Sequence, residues 1–147
     1  MIALRRARAT DAGAVGAILS EFVDTTDWMP RIHTRAEDLA HAGALIARGW
    51  VTVAELEGAV AGFVAQDGKD LDALYVSAAM RGQGIGSQLL NHIKSGCEVI
   101  ELWTFQANRL AQQFYLKHGF IELRRTDGAD NDERLPDIRY QWKREAA

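Results

Sequence analysis

The sequence predicts an α/β (α+β) domain built on one mixed, mainly antiparallel sheet, and three observations support this fold class. The chain has 147 residues, of which 48% are hydrophobic and 25% are charged, as expected for one ordinary globular domain. Three strand-like segments follow one another over residues 50–76, separated by the turn signals Glu57-Gly58 and Asp67-Gly68. Beyond residue 80 the pattern becomes loop, helix, strand, helix and strand. We therefore expect a six- to seven-stranded sheet flanked by about four helices, in a single domain over residues 1–147.

The N-terminal part of the chain predicts an edge strand followed by a helix. Ile2 and Leu4 alternate within residues 2–8, which is typical of a short strand. Thr10 and Asp11 supply N-cap chemistry for a helix that runs to about residue 23. The apolar residues of this helix recur at helical spacing and form one buried stripe, namely Val15, Ile18, Leu19 and Phe22.

A second helix follows an irregular connection over residues 24–33. Thr34 and Glu37 have the Thr-x-x-Glu spacing of a capping box, which predicts the start of this helix, and Gly49 predicts its end. The later elements follow in order. They are strands over residues 50–56, 59–66 and 70–76, a helix over 85–95, a strand over 99–105, a helix over 108–118, and strands over 120–126 and 137–143.

Composition excludes several function classes. The net charge of -3 argues against a dedicated nucleic-acid binder, which usually carries a strong basic excess. The longest stretch without a charged residue is twelve residues, 82–93, whereas a membrane-spanning helix needs about 20. The single cysteine, Cys97, excludes an internal disulfide, and the four histidines lack metal-ligand spacing. We expect a cytoplasmic protein that binds no metal, nucleic acid or membrane.

A glycine-rich loop is the most informative stretch of the chain. It consists of Arg81, Gly82, Gln83, Gly84, Ile85, Gly86 and Ser87. The loop follows an apolar strand end and opens directly into a helix. Three glycines let the backbone approach a ligand closely, and the first N–H groups of a helix favour anions. The loop therefore predicts a phosphate pocket, the alternative being a tight turn that binds nothing.

The two common nucleotide fingerprints fit this loop poorly. A P-loop requires a lysine directly before the serine or threonine, and no lysine precedes Ser87. The dinucleotide fingerprint places its third glycine at the position of Ser87. In addition, the loop follows a meander rather than the first strand of a parallel unit.

Two motifs together resemble the acetyl-CoA-binding core of the GCN5-related N-acetyltransferases. The first is Arg81-x-x-Gly84-x-Gly86, and the second is the Asn-x-x-Ala-x-x-Phe-Tyr-x-Lys-x-Gly-Phe pattern that begins at Asn108 and ends at Phe120. The resemblance is strong over residues 74–120 and rests on element order elsewhere. It implies the acyl-CoA N-acyltransferase fold, with residues 81–87 binding the pyrophosphate of acetyl-CoA.

The resemblance also implies roles for particular residues around the cofactor. The backbone of Leu74, Tyr75 and Val76 would hold the pantetheine arm and polarise the thioester on a bulged strand. Asn108 would contact the same arm, and Tyr115 would be the general acid that protonates the departing thiolate. Taken alone, residues 108–118 also fit a well-capped amphipathic helix in which Tyr115 is a core aromatic.

The implied reaction is direct acetyl transfer from acetyl-CoA to a primary amine, which must be neutral when it attacks. Glu101 and Asp72 are candidate bases, although each also fits an exposed strand carboxylate. Glu133 and Asp137 would reach the site only if their loop folds over it. The sequence does not choose among these carboxylates.

Candidate acceptor-binding residues lie in the irregular connection and on the fifth predicted strand. Trp28 fits either a substrate wall or a lid, Arg31 fits a contact to an acceptor carboxylate or a solvated loop arginine, and Trp103 fits a pocket lining or core packing. The expected partner is a small-molecule or amino-acid-like amine. A protein N-terminus or lysine is the alternative acceptor, a non-catalytic acyl-CoA sensor is the alternative function, and a homodimer is compatible with both.

Overall fold

The computed structural model describes residues 1–145, which form one seven-stranded sheet. The strands are β1 (Ile2–Arg6), β2 (Val51–Leu56), β3 (Ala59–Asp67), β4 (Asp70–Val76), β5 (Val99–Phe105), β6 (Ile121–Thr126) and β7 (Asp137–Lys143). Their order across the sheet is β1-β2-β3-β4-β5-β7-β6. Every neighbouring pair is antiparallel except β4 and β5, which run parallel. The mixed and mainly antiparallel fold class is therefore confirmed.

Within residues 1–145, four helices cover the two faces of this sheet. They are α1 (Ala12–Thr25), α2 (Arg35–Ala47), α3 (Ile85–Ser95) and α4 (Arg109–Lys117). The first two pack on β2, β3 and β4 around Val15, Leu45 and Phe63. The other two pack on the opposite face, where Leu89 and Tyr115 contact a core that reaches β7 at Tyr140. No helix within residues 1–145 is long and apolar enough to span a membrane.

Local hydrogen bonds explain where the helices begin. The capping box is present, because the Glu37 N–H donates to Thr34 Oγ1 at 3.1 Å and the Thr34 N–H donates to Glu37 Oε1 at 2.9 Å. Asn108 caps α4 by accepting the Ala111 N–H at 3.1 Å. Asp11 differs from the prediction because its carboxylate does not cap α1. Instead it accepts the Arg8 N–H at 2.7 Å, and a short 3-10 turn precedes the helix.

Most element bounds agree with the sequence to within two residues, and the differences lie at turns. The first strand ends at Arg6 rather than at residue 8, and α1 extends two residues further, to Thr25. A short 3-10 turn, Ala78–Met80, separates β4 from the glycine loop and was not predicted. It is held to α1, because the Ala78 N–H donates to Glu21 Oε1 at 2.8 Å.

The central pair of strands separates soon after it forms. β4 and β5 are in register only at Asp70 and Glu101, near the start of both strands. Their C-terminal ends diverge, and both carry on into segments that approach the same region, the glycine loop after β4 and α4 after β5. A gap at the carboxyl ends of parallel strands is where α/β sheets commonly bind ligands.

Candidate active site

A cleft of about 520 Å³ lies at the gap between β4 and β5. The end of β4 and the glycine loop form one wall, and α4 forms the other through Asn108, Ala111 and Tyr115. Residues from the end of α1 and from the connection after it close the third side. A smaller cavity of about 80 Å³ shares Leu74, Asn108 and Tyr115 with this cleft and continues along β5. The structure thus brings both sequence motifs to one site.

A bulge in β4 decides which backbone groups face the gap. Its register with β3 shifts at Asp72, two residues before Leu74. Ahead of the bulge, the Lys69 carbonyl points towards β5 and accepts the Glu101 N–H at 2.8 Å. After it, the Ser77 N–H donates to the Ala61 carbonyl of β3 at 2.8 Å. In an antiparallel pair, the backbone groups of successive residues point alternately towards the partner strand and away from it. The N–H and carbonyl groups of Tyr75 therefore face β3, and those of Leu74 and Val76 face the gap.

The glycine loop has the geometry of an anion-binding turn. Gly82 and Gly84 adopt φ angles of +81° and +77°, which residues with a side chain rarely take. Gln88 is the first α3 residue whose N–H donates a helical hydrogen bond, to the Gly84 carbonyl at 3.0 Å. The backbone N–H groups just before it therefore have no partner within the helix. Nine residues line a pocket of about 230 Å³ here, namely Val76, Met80, Arg81, Gly82, Gly84, Ile85, Gly86, Ser87 and Phe114.

The residues of this pocket fit a bound pyrophosphate. A Cβ built on Gly84 meets no atom within 4 Å, so the space over the loop is open to a ligand. Arg81 lines both the pocket and the main cleft, and it forms no ion pair within residues 1–145. Of the predicted loop residues, Gln83 alone does not line either space, because its amide contacts Met80 Sδ at 3.8 Å.

Ser87 ties the glycine loop to the end of α4. Its Oγ lies 3.1 Å from Nε2 of His118, whose ring packs on Phe114. Burial, followed by the charges of Lys94 and Lys117, lowers the pKa of His118. The neutral imidazole is therefore favoured at neutral pH, and the Ser87 hydroxyl can donate to an anion in the tautomer whose Nε2 carries the proton.

Tyr115 is buried, yet its side chain lines both the main cleft and the smaller cavity. No group within residues 1–145 forms a hydrogen bond with its hydroxyl. Burial, with a smaller contribution from Tyr75, raises the pKa of Tyr115 well above its usual range. The hydroxyl is therefore protonated at neutral pH and can donate a hydrogen bond into the cleft.

Tyr75 and Phe22 line both the cleft and a second pocket, and the rings of Trp28 and Phe105 continue this aromatic group. Phe22 lies 4.9 Å from Tyr75 and 6.2 Å from Trp28, and Trp28 lies 5.7 Å from Phe105 at the end of β5 (ring centroids). Trp28 therefore spans the mouth of the gap from α1 to β5, a position that fits a lid and a substrate wall equally. Helical spacing predicted a core position for Phe22, although it also lines the site.

The second pocket, about 610 Å³, combines apolar walls with acidic groups. Its walls include Leu19, Phe22, Val23, Met29 and Tyr75, and its acidic residues are Glu37, Asp38, Asp132 and Glu133. Burial, then the negative charges of Glu133 and Asp72, raise the pKa of Tyr75 to about 12. Glu133 lines the second pocket together with Tyr75, and Asp72 lines the smaller cavity together with Tyr75, so the loop before β7 reaches this part of the site.

Arg31 does not have the acceptor-binding geometry that the sequence suggested. Its guanidinium bonds Asp24 at 2.8 and 3.0 Å, Asp38 at 3.1 Å, the Ser20 carbonyl at 3.0 Å and the His33 carbonyl at 2.9 Å. These contacts use all five guanidinium donors. Arg31 therefore fixes the connection over residues 24–33 against α1 and α2, and no donor remains for a substrate carboxylate.

The two carboxylates proposed as bases occupy different surroundings. Glu101 accepts hydrogen bonds from Lys69, Arg139 and Gln141 and lines none of the cavities around the gap. The Gln141 contact first, then Lys69 and Arg139, lower the pKa of Glu101. A carboxylate held in this way is a weak base away from the cleft, so the structure contradicts the candidacy of Glu101. Asp72 is exposed at the bulge and lines the smaller cavity.

The two remaining candidates differ in their access to the site. Trp103 is 43% exposed and lines the smaller cavity, and its ring centroid lies 5.2 Å from the guanidinium carbon of Arg124 and 5.3 Å from that of Arg139. It is therefore a surface residue at the cavity rim rather than core packing. Asp137 is buried and bonded to Thr126 and Asn131, which gives it a structural role.

Comparison with known proteins agrees with this geometry. The chain matches the acetyltransferase (GNAT) domain family over residues 47–122. It is 31% identical over 138 residues to the peptidyl-lysine N-acetyltransferase YjaB of Escherichia coli K12, covering 92% of this chain and 93% of that protein. The protein of the same name from Salmonella typhimurium is 30% identical, with coverage of 92% and 94%.

Solved structures show the same fold. The apo-form solution structure of YjaB from Escherichia coli has a TM-score of 0.81 and 26% identity, covering 97% of both chains. The acetyltransferase yncA from Salmonella typhimurium, solved with its cofactor acetyl-CoA, has a TM-score of 0.75 and 21% identity, covering 100% of this chain and 97% of that one. The chain therefore belongs to the GCN5-related N-acetyltransferase family and is an N-acetyltransferase.

Proposed function

We propose that this enzyme transfers the acetyl group of acetyl-CoA to a primary amine at the end of an alkyl chain, by direct attack within a ternary complex. The observation that carries this proposal is the gap between β4 and β5. On one side it opens to the glycine loop, and on the other side, past Tyr75, to an apolar pocket with acidic residues. A donor and an acceptor can thus approach one point from opposite sides.

The cofactor-binding role rests on the chain's own polar groups. The amides at the start of α3 and the guanidinium of Arg81 would hold the pyrophosphate, with Ser87 beside them. The backbone groups of Leu74 and Val76 would hold the arm. Bound acetyl-CoA supplies an activated acetyl group as a thioester. The Val76 N–H can stabilise the negative charge that gathers on the carbonyl oxygen during attack.

Tyr115 would donate a hydrogen bond to the sulfur of the departing CoA. Its raised pKa keeps the proton on the hydroxyl, so the side chain donates a hydrogen bond to the thiolate as negative charge develops there. The amine must lose a proton in the same reaction. Asp72 and Glu133 each line a cavity together with Tyr75 and are the proposed route for that proton, directly or through water.

The acceptor-side pocket supports an amine on an alkyl chain. Apolar walls such as Leu19 and Met29 suit methylene groups, and carboxylates such as Glu133 attract an ammonium ion before it is deprotonated. A lysine side chain of a polypeptide is the first candidate, since two relatives at 30–31% identity are named peptidyl-lysine acetyltransferases. A small-molecule amine is the second, because residues 24–33 partly cover the pocket through Met29 and His33.

One experiment tests the transfer and separates the acceptors. Purified enzyme would be incubated with acetyl-CoA and lysine-containing peptides, N-terminally free peptides without lysine, free lysine or aliphatic diamines. Released CoA would be measured with a thiol reagent and acetylated products by mass spectrometry. We expect acceptor-dependent CoA release, largest for lysine peptides. Binding of acetyl-CoA without release for any amine would favour the sensor function, and absence of binding would contradict the cofactor assignment.

A further inference from the structure

One buried side chain in β5 has a hydroxyl oxygen without a hydrogen-bond partner. Thr104 is 8% exposed, and its Oγ1 is shielded from solvent. Among residues 1–145 it is the only side-chain nitrogen or oxygen whose own surface is shielded from solvent and that lacks a hydrogen-bond partner. Buried hydroxyl groups almost always find such a partner, so an exception requires a physical explanation.

The free protein has no structural need for this hydroxyl. Thr104 faces the same core as its strand neighbour Leu102 and pairs across the sheet with the buried Ile138. Valine has the same shape, favours strands equally well and carries no polar atom to desolvate. A threonine here lowers stability relative to valine unless something that binds the protein satisfies its oxygen.

The position of Thr104 indicates what that partner is. It lines the smaller cavity of about 80 Å³ together with Asn108 and Tyr115. These two residues also line the main cleft, so the cavity lies at the inner end of the cofactor path. Since a water molecule in liquid occupies about 30 Å³, the cavity has room for only a few non-hydrogen atoms.

We propose that the Thr104 hydroxyl forms a hydrogen bond with a polar atom at the acylated end of bound acetyl-CoA. This inference rests on the proposed function. The hydroxyl lacks a partner in the free protein and gains one only when the cofactor arm enters between β4 and β5. Thr104 is thus a binding residue for the donor, retained at a cost to the stability of the free enzyme.

The test compares Thr104→Val with Thr104→Ser. Thermal unfolding of the free protein and calorimetric titration with acetyl-CoA and with CoA would be measured for each variant. For Thr104→Val we expect the midpoint temperature of thermal unfolding to rise by about 2–4 °C. The affinity for acetyl-CoA should fall roughly 3- to 30-fold. Thr104→Ser keeps the hydroxyl and should bind acetyl-CoA close to wild type. A loss confined to acetyl-CoA locates the bond at the acyl carbonyl, and an equal loss for CoA locates it at the adjacent arm.

Thr126→Val is the matched control, because Thr126 is a strand threonine whose hydroxyl donates to Asp137 away from the cleft. It should lower the midpoint and leave acetyl-CoA affinity unchanged. The proposal is overturned if Thr104→Val lowers the midpoint, since the hydroxyl then has a partner in the free protein. It is equally overturned if the variant is more stable and binds acetyl-CoA as tightly as wild type. Failure of the wild-type protein to bind acetyl-CoA would instead contradict the proposed function.

Discussion

The two sides of the gap between β4 and β5 are built in different ways. The donor side consists of short motifs, since the glycine loop, the start of α3 and the capped helix α4 each form within about a dozen residues. The acceptor side combines parts that lie far apart in the chain, namely the region from α1 to α2, Tyr75 of β4 and the loop before β7. The ion pair of Arg31 with Asp38 holds residues 24–33 against α2. We therefore expect donor binding to depend on local backbone geometry, and acceptor binding to depend on how distant segments pack.

The largest expected effect tests the donor side through Gly84. Gly84→Asp should lower acetyl-CoA affinity by roughly 100-fold or more, because the carboxylate would occupy the pyrophosphate space and repel it. Calorimetric titration measures this loss. Gly58→Asp is the matched control, since Gly58 has φ +80°, close to the +77° of Gly84, and similarly open space at the β2–β3 turn. Equal affinities in the two variants would show that the loop is only a turn.

A second large effect is expected at Tyr115. Tyr115→Phe should lower turnover by roughly 100-fold, because general acids typically contribute 10²- to 10⁴-fold, while acetyl-CoA affinity changes little. Steady-state kinetics and calorimetry on the same preparation separate the two quantities. Tyr140→Phe removes a hydroxyl from the same core cluster outside the cleft and should leave turnover unchanged. Full activity of the Tyr115 variant would exclude Tyr115 from the acid role.

A moderate effect on the acceptor side is expected at Arg31. Arg31→Gln loses most of five hydrogen bonds, so residues 24–33 should loosen and the melting temperature should fall by several degrees. The KM for the amine should rise while acetyl-CoA affinity stays unchanged. Arg35→Gln removes only one exposed contact to Asp24 and should behave nearly like wild type. Equal losses of donor and acceptor binding would show that the two sides are not independent.

The smallest expected effect is a pH dependence of stability at the start of α1. Hydrogen bonds from Arg5, then from the Arg8 amide, lower the pKa of Asp11 from 3.8 to about 2, against an opposing effect of burial. A lowered folded-state pKa stabilises the protein above about pH 4 and ceases to do so as the pH falls through 2. Asp11→Asn should therefore unfold at lower urea concentration at pH 7, with the difference shrinking between pH 4 and pH 2. A difference independent of pH would assign the effect to hydrogen bonding alone.

The parts of the site that the sequence predicted are those defined by local chemistry. Glycines with positive φ, the Asn108 cap and the apolar spacing of α3 are features that a few neighbouring residues determine. The carboxylates were harder to assign. Glu101 and Asp72 look alike in the sequence, and only the packing of β7 against β5 shows that Arg139 and Gln141 engage Glu101. A carboxylate's role depends on its partners, which lie far along the chain.

The sequence by itself determined the fold class, the donor loop and the helix that carries Tyr115, because periodicity, capping and glycine geometry act over a few residues. Only the tertiary structure decided that Arg31 fixes residues 24–33, that Glu133 and Tyr75 line one pocket and that the Thr104 hydroxyl is buried without a partner. The bulge at Asp72 was also decided by the tertiary structure, since a bulge is defined by how β4 pairs with β3. Burial and pairing are properties of distant segments brought together, so no local pattern in the chain can encode them alone.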